Sequence, residues 1–122
     1  MSSAGLHNFI CDQGATFLKT ITFFASDGTT AIDLTGYACR MKIKEEYGGT
    51  VIKSLTNSSG MTIGGGAGNP TNGEIDITIS ATDTTNFSAP QTAVYDIEII
   101  SSGGIVHRIL QGKFIVNPEV TD

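Results

Sequence analysis

Glu74-Ile75-Asp76-Ile77-Thr78-Ile79 puts three isoleucines on one side of an extended chain and two acids and a threonine on the other. A helix would scatter those isoleucines around its circumference, so the period of two reads as a strand with one face in a core. Cys39-Arg40-Met41-Lys42-Ile43-Lys44 and Tyr95-Asp96-Ile97-Glu98-Ile99 repeat the pattern. Half-buried antiparallel strands account for all three. The expected core therefore begins with Met41, Ile43, Ile75, Ile77, Ile79, Tyr95, Ile97 and Ile99.

Noisier strands surround these. Phe17 to Phe24 turns Phe17, Ile21 and Phe23 to one face, with Lys19 expected near an edge. Thr50 to Leu55 and Met61 to Ile63 are short apolar pieces, and Leu6 to Cys11 reads as an edge strand. Ile105 to Val116 is long; Leu110 and Phe114 face inward, and Gly112 suggests a bulge or bend. Ser26-Asp27-Gly28, Tyr47-Gly48-Gly49 and Ser101-Ser102-Gly103-Gly104 supply hairpin turns. Gly64 to Gly73 reads as a flexible loop.

Ser80 to Phe87 reads as one helical turn capped by Ser80 or Thr82. With the tyrosine strand at Val94-Tyr95-Asp96 it is similar to the corner between the two sheets of immunoglobulin-like domains. The expected fold is all-β: one domain, residues 1–122, an Ig-like antiparallel β-sandwich of about seven to nine strands with a short helical turn near residues 81–87.

Composition limits function. A formal charge of −5 with only seven Lys and Arg argues against nucleic acid, whose affinity comes from bases neutralising phosphates. The bases that cluster, Arg40, Lys42 and Lys44, alternate with apolar residues and are expected to face acidic Glu45 and Glu46. No apolar run approaches the roughly 20 residues that span a bilayer. Met1 to Gly5 lacks a secretory signal, so assembly in a cytoplasm is expected. The glycosylation triplets at Asn57 and Asn86 then mark surface loops only. Cys11 and Cys39 are expected as buried free thiols, with an intrachain or intersubunit disulfide as the alternative. Neither has the CxxC or histidine company of a metal site.

Chemistry-bearing constellations are sparse. The glycine loop lacks the lysine and following helix of a phosphate loop. His7 and His107 stand alone, and no G-x-S-x-G elbow is present. Asp76, Asp96 and Glu98, on outer faces of strands expected to be neighbours, are the pair-forming carboxylates a glycosidase or calcium site would need. A solvated face explains them as well. No enzyme activity and no cofactor are expected.

The motif order adds a resemblance. "QGATFLKTITF", "DLTGYACRMKI", "GEIDITISATDTTNF" and "AVYDIEIISSGGIVHRILQGKFIVNPEVT", covering about Phe9 to Thr121, resemble small virion proteins of tailed bacteriophages. They are also similar to the N-terminal β-sandwich of phage baseplate upper proteins. In this frame Leu34 is a core residue, Gly36 makes a tight turn, Tyr95 caps the core with its hydroxyl on backbone, Gly112 bends the last strand and Pro118 ends it. The resemblance implies a tail, baseplate, collar or fibre-attachment part located in the virion. Its partners would be other virion proteins or further copies of itself, with neither nucleic acid nor membrane. A head-decoration protein and a carbohydrate-binding module using Tyr37, Tyr47 and Phe87 are the alternatives. Contacts are expected through the edge Leu6 to Cys11, the glycine loop and the tail Asn117 to Asp122.

Overall fold

The computed structural model describes residues 5–25 and 27–120; Met1–Ala4, Ser26, Thr121 and Asp122 lie outside it. The described chain runs β1 (Gly5–Leu6), β2 (Phe9–Asp12), β3 (Phe17–Thr22), β4 (Ala38–Lys44), β5 (Val51–Thr56), β6 (Met61–Ile63), β7 (Glu74–Ile79), α1 (Ala81–Thr85), β8 (Gln91–Ile100) and β9 (Val106–Asn117). The larger sheet has the order β1/β2–β9–β8–β4–β5, and the smaller is β3–β7–β6. Together they make the all-β sandwich that the alternation predicts. Every pair is antiparallel except at one edge, where β1 and β2 run parallel to β9.

The inward residues of both sheets meet in one core. Phe17, Phe23, Leu34, Met41, Ile43, Ile75, Ile77, Ile79, Tyr95, Ile97, Ile99 and Phe114 are buried, and Ile21 is half-buried against them. Gly36 takes φ +79° in the turn that closes when the Tyr37 N–H donates to the Leu34 carbonyl at 3.0 Å, and only glycine adopts that φ readily. β9 ends at Asn117, immediately before Pro118, as expected.

Two expectations about β9 are corrected. Gly112 sits in regular register opposite Tyr95, so it makes no bulge. The bulge lies at Ile109, because Ile97 faces Leu110 while Glu98 faces Arg108. With two consecutive apolar residues against one, Ile109 takes the buried place and Leu110 is left partly exposed. Gly112 instead permits a close crossing: a Cβ there would stand 1.9 Å from the His7 carbonyl oxygen. The Tyr95 hydroxyl does find a backbone acceptor, but a distant one, donating to that same His7 oxygen at 2.6 Å. This bond locks the edge strand and is not the local bond of an immunoglobulin-type tyrosine corner.

Ser80 caps α1, its Oγ accepting from the Asp83 N–H at 3.2 Å, and the helix carries the chain from the smaller sheet to the larger. Thr84 is fully buried; its Oγ1 accepts from Gly14 N–H (3.1 Å) and donates to the Ala15 carbonyl (2.8 Å), pinning the helix to the β2–β3 turn. Nothing in the polar run Thr82 to Asn86 marks that threonine beforehand.

Two loop expectations also change. Asp27 and Gly28 turn the chain only as far as a single bridge between Phe24 and Ala31, because β3 pairs with β7 and not with the next strand. The glycine loop does join β6 to β7, but as a built element of two 3-10 turns, Gly65–Ala67 and Pro70–Asn72. Asn72 Nδ2 donates to the Gly64 carbonyl at 3.0 Å, and the Pro70 carbonyl accepts from Leu34 N–H at 2.9 Å. These bonds replace the flexibility that the glycine content suggests.

Candidate functional site

Alternation along β4, β8 and β9 sends every second side chain away from the core, and the register lines those residues up in rows. On this outer face Lys44 stands beside Val94 and Lys113, Lys42 beside Asp96, and Arg40 beside Glu98 and Arg108. Five of the chain's seven bases thus share the sheet's outer face with three of its twelve acids, Asp96 and Glu98 beside them and Asp12 at the far end of β2. That face carries a net +2 within a chain of −5, and the remaining residues sum to −7. Bases that look dispersed along the sequence are therefore gathered by strand pairing.

Two of the five are neutralised locally. Arg40 Nε meets Glu98 Oε1 at 2.7 Å, and Arg108 Nε meets Asp96 Oδ2 at 3.3 Å. No described carboxylate lies within salt-bridge range of Lys42, Lys44 or Lys113. Glu45 and Glu46, expected to answer the bases, instead lie in the β4–β5 turn. A shallow groove of about 460 Å³ crosses the face, rimmed by Tyr47, which is 81% exposed.

The three expected carboxylates do not assemble. Asp76 projects from the smaller sheet, where Thr20 Oγ1 donates to it at 2.6 Å, while Asp96 and Glu98 project from the larger. They occupy opposite outer surfaces of the sandwich, so the neighbour-strand expectation is corrected. Asp83 is committed elsewhere: the Lys53 ammonium, at 2.7 Å, holds its carboxyl below the ordinary value through hydrogen bond and charge. His7 packs edge-on to Phe9 at 5.0 Å, and His107 pairs with Ile99 on another strand. Among the described residues no three His, Cys, Asp or Glu side chains converge. No described helix is long and apolar enough to cross a membrane.

Cys11 and Cys39 are both buried free thiols. They sit in one sheet on β2 and β4, with β9 and β8 between them. Through the register they align with Gln91 and Ile99, eight residues apart on β8 or roughly 26 Å, far beyond disulfide reach. Burial pushes each thiol up to about 11, helped for Cys11 by the Asp12 charge. Neither thiol is therefore expected to react with an alkylating reagent near pH 8 until denaturant is added, when both should react. Mass spectrometry after timed alkylation checks this, and rapid labelling of either native thiol would contradict the packing.

The strand edges are guarded against pairing. β5 is bulged at Ile52, and its inward-facing Lys53 is drawn aside to Asp83. β3 presents exposed Lys19 at an inward position opposite Ile77. β1 and β2 are two and four residues long and are broken at His7-Asn8. Bulges, inward charges and short edges all discourage added strands. Of the three aromatics expected to be open, Phe87 is buried, Tyr37 is half-buried and Tyr47 is exposed. In the tail, Glu119 N–H donates to Gln13 Oε1 and Val120 is exposed; its last two residues lie outside the described chain. Neither a known family model nor a curated protein matches this chain.

Proposed function

We propose that this chain is a non-enzymatic structural part of a tailed-bacteriophage particle, a tail, baseplate, collar or fibre-attachment module present in several copies. The observation that carries the reading is how the polar groups are used. Interior groups with chemical potential, the Tyr95 and Thr84 hydroxyls, are bonded to backbone and serve the fold. The unspent polar surface is the outer face of the larger sheet, with Lys42 and Lys44 lacking any described carboxylate partner beside exposed Tyr47. A flat, charged, aromatic-rimmed sheet face suits another protein better than a small substrate. The resemblance of the motif order from Phe9 to Thr121 to small virion proteins supplies the particle.

The test is mass spectrometry of purified particles, with this protein counted against the major capsid protein. A low count in a multiple of the tail's rotational symmetry is expected. A count near that of the capsid protein would assign it to head decoration, and absence from particles would overturn the virion reading.

A further inference from the structure

We infer that the outer face of the larger sheet docks on the outer face of the smaller sheet in a second copy of this chain, head to tail. The inference goes beyond a virion role, since it concerns which surfaces meet and in what symmetry. The smaller sheet's outward residues are Glu74 and Asp76 on β7, with Thr20, Thr22, Thr62 and Thr78 around them and no base among the outward positions. The larger sheet's outward residues carry the +2 described above. The two surfaces are opposite in sign and lie on opposite sides of one sandwich. A contact between them is not self-complementary, so it propagates from copy to copy and closes as a ring or extends as a stack.

The charges that would meet are available. Lys42 and Lys44 have no described carboxylate within reach, and Asp76, which accepts from Thr20 Oγ1, faces outward. Leu18, 63% exposed beside Thr78, adds an apolar contact on the acidic side. Edge-to-edge pairing, the rival mode of self-association, is opposed by the bulge and lysines on β5 and β3. Like-charge repulsion between whole chains of −5 acts at long range and is screened beyond about 10 Å at 0.1 M salt, whereas surfaces in contact are screened less. Two strands of six residues and one of three offer a footprint of roughly 240 Å². This is well below the roughly 800 Å² per partner of a stable complex, so the contact is weak and forms in isolation only at protein concentrations approaching about 1 mM.

The experiment is sedimentation velocity on the full chain at up to about 1 mM, at ionic strengths of about 0.1 M and 1 M. Concentration-dependent association at the lower salt and monomer at the higher is expected. The double variants K42E/K44E and E74Q/D76N should each remain monomeric alone. Their equimolar mixture should form a one-to-one pair, because one retains the acidic face and the other the basic face. Thermal melts check folding, and K42Q/K44Q replaces the reversal variant should the latter not fold. A wild-type chain monomeric throughout, self-association of either variant, or no pair in the mixture would overturn the inference. So would a short DNA duplex competing for the basic face without any self-association. Particle composition is read separately: a self-associating protein absent from virions overturns the virion role alone, and a monomeric virion protein overturns this inference alone.

Discussion

Replacing Phe114 with alanine is expected to lower the unfolding free energy by about 3–5 kcal/mol. Phe114, on β9 of the larger sheet, is fully buried and its ring centroid lies 5.2 Å from that of Phe17 on β3 of the smaller sheet. On its other side Phe87, just past α1, stands edge-on at 6.2 Å. The ring thus joins both sheets and the crossing between them, and its loss leaves a cavity that three elements cannot close together. Domains of this kind have about 5–15 kcal/mol in total, so the variant should be close to unfolded at 37 °C. Urea denaturation reads the loss. Phe114→Leu, which keeps most of the volume, should cost under about 1.5 kcal/mol. Equal losses for the two substitutions would mean that the rings do not bridge the sheets.

Gly112→Ala is expected to cost about 2–4 kcal/mol and to release the β1–β2 edge. The added methyl would stand 1.9 Å from the His7 carbonyl oxygen, so the edge strand must withdraw by more than an ångström. Withdrawal breaks the Tyr95 hydroxyl bond to His7 and the bond from Lys113 N–H to Asn8 Oδ1 at 3.0 Å. It also uncovers Phe9 and Cys11, which are buried by the same strand. Burial holds the Tyr95 hydroxyl above its ordinary pKa, so alkaline titration by absorbance should show that tyrosine falling back toward the ordinary value. Hydrogen exchange at the His7 amide, which donates to the Gln111 carbonyl, should accelerate at the same time. Gly103→Ala, where the nearest atom to an added Cβ is 3.8 Å away, is the control and should be near neutral. A Gly112→Ala protein with unchanged stability would refute the close crossing.

The basic face marks where reading along the chain stops. Arg40, Lys42 and Lys44 are visibly on one side of one strand, because parity within a strand is local. That Arg108 and Lys113 join them requires β8 to pair with β4 on one side and β9 on the other. Likewise, Asp76 and Asp96 occupy equivalent polar positions in similar strands yet end on opposite outer surfaces. Alternation tells in from out, but it does not tell which sheet a strand joins.

The sequence by itself determined the strands, most of the core and the turns. Isoleucines at every second position can hide only by extending the chain, and Gly36 or Gly48 can turn it only through positive φ. Tertiary structure decided whatever depends on residues distant in sequence. The parallel edge, the seat of Ile109 in place of Leu110, the role of Gly112 under His7 and the pin at Thr84 each join segments about 70 to 105 residues apart or depend on a register shift between paired strands. Such contacts leave no periodic trace, since each is one close approach set by how the sheets pack. The separation of the thiols and the gathering of the bases follow from the same cause: strand order is a property of the sheet, and no single strand carries it.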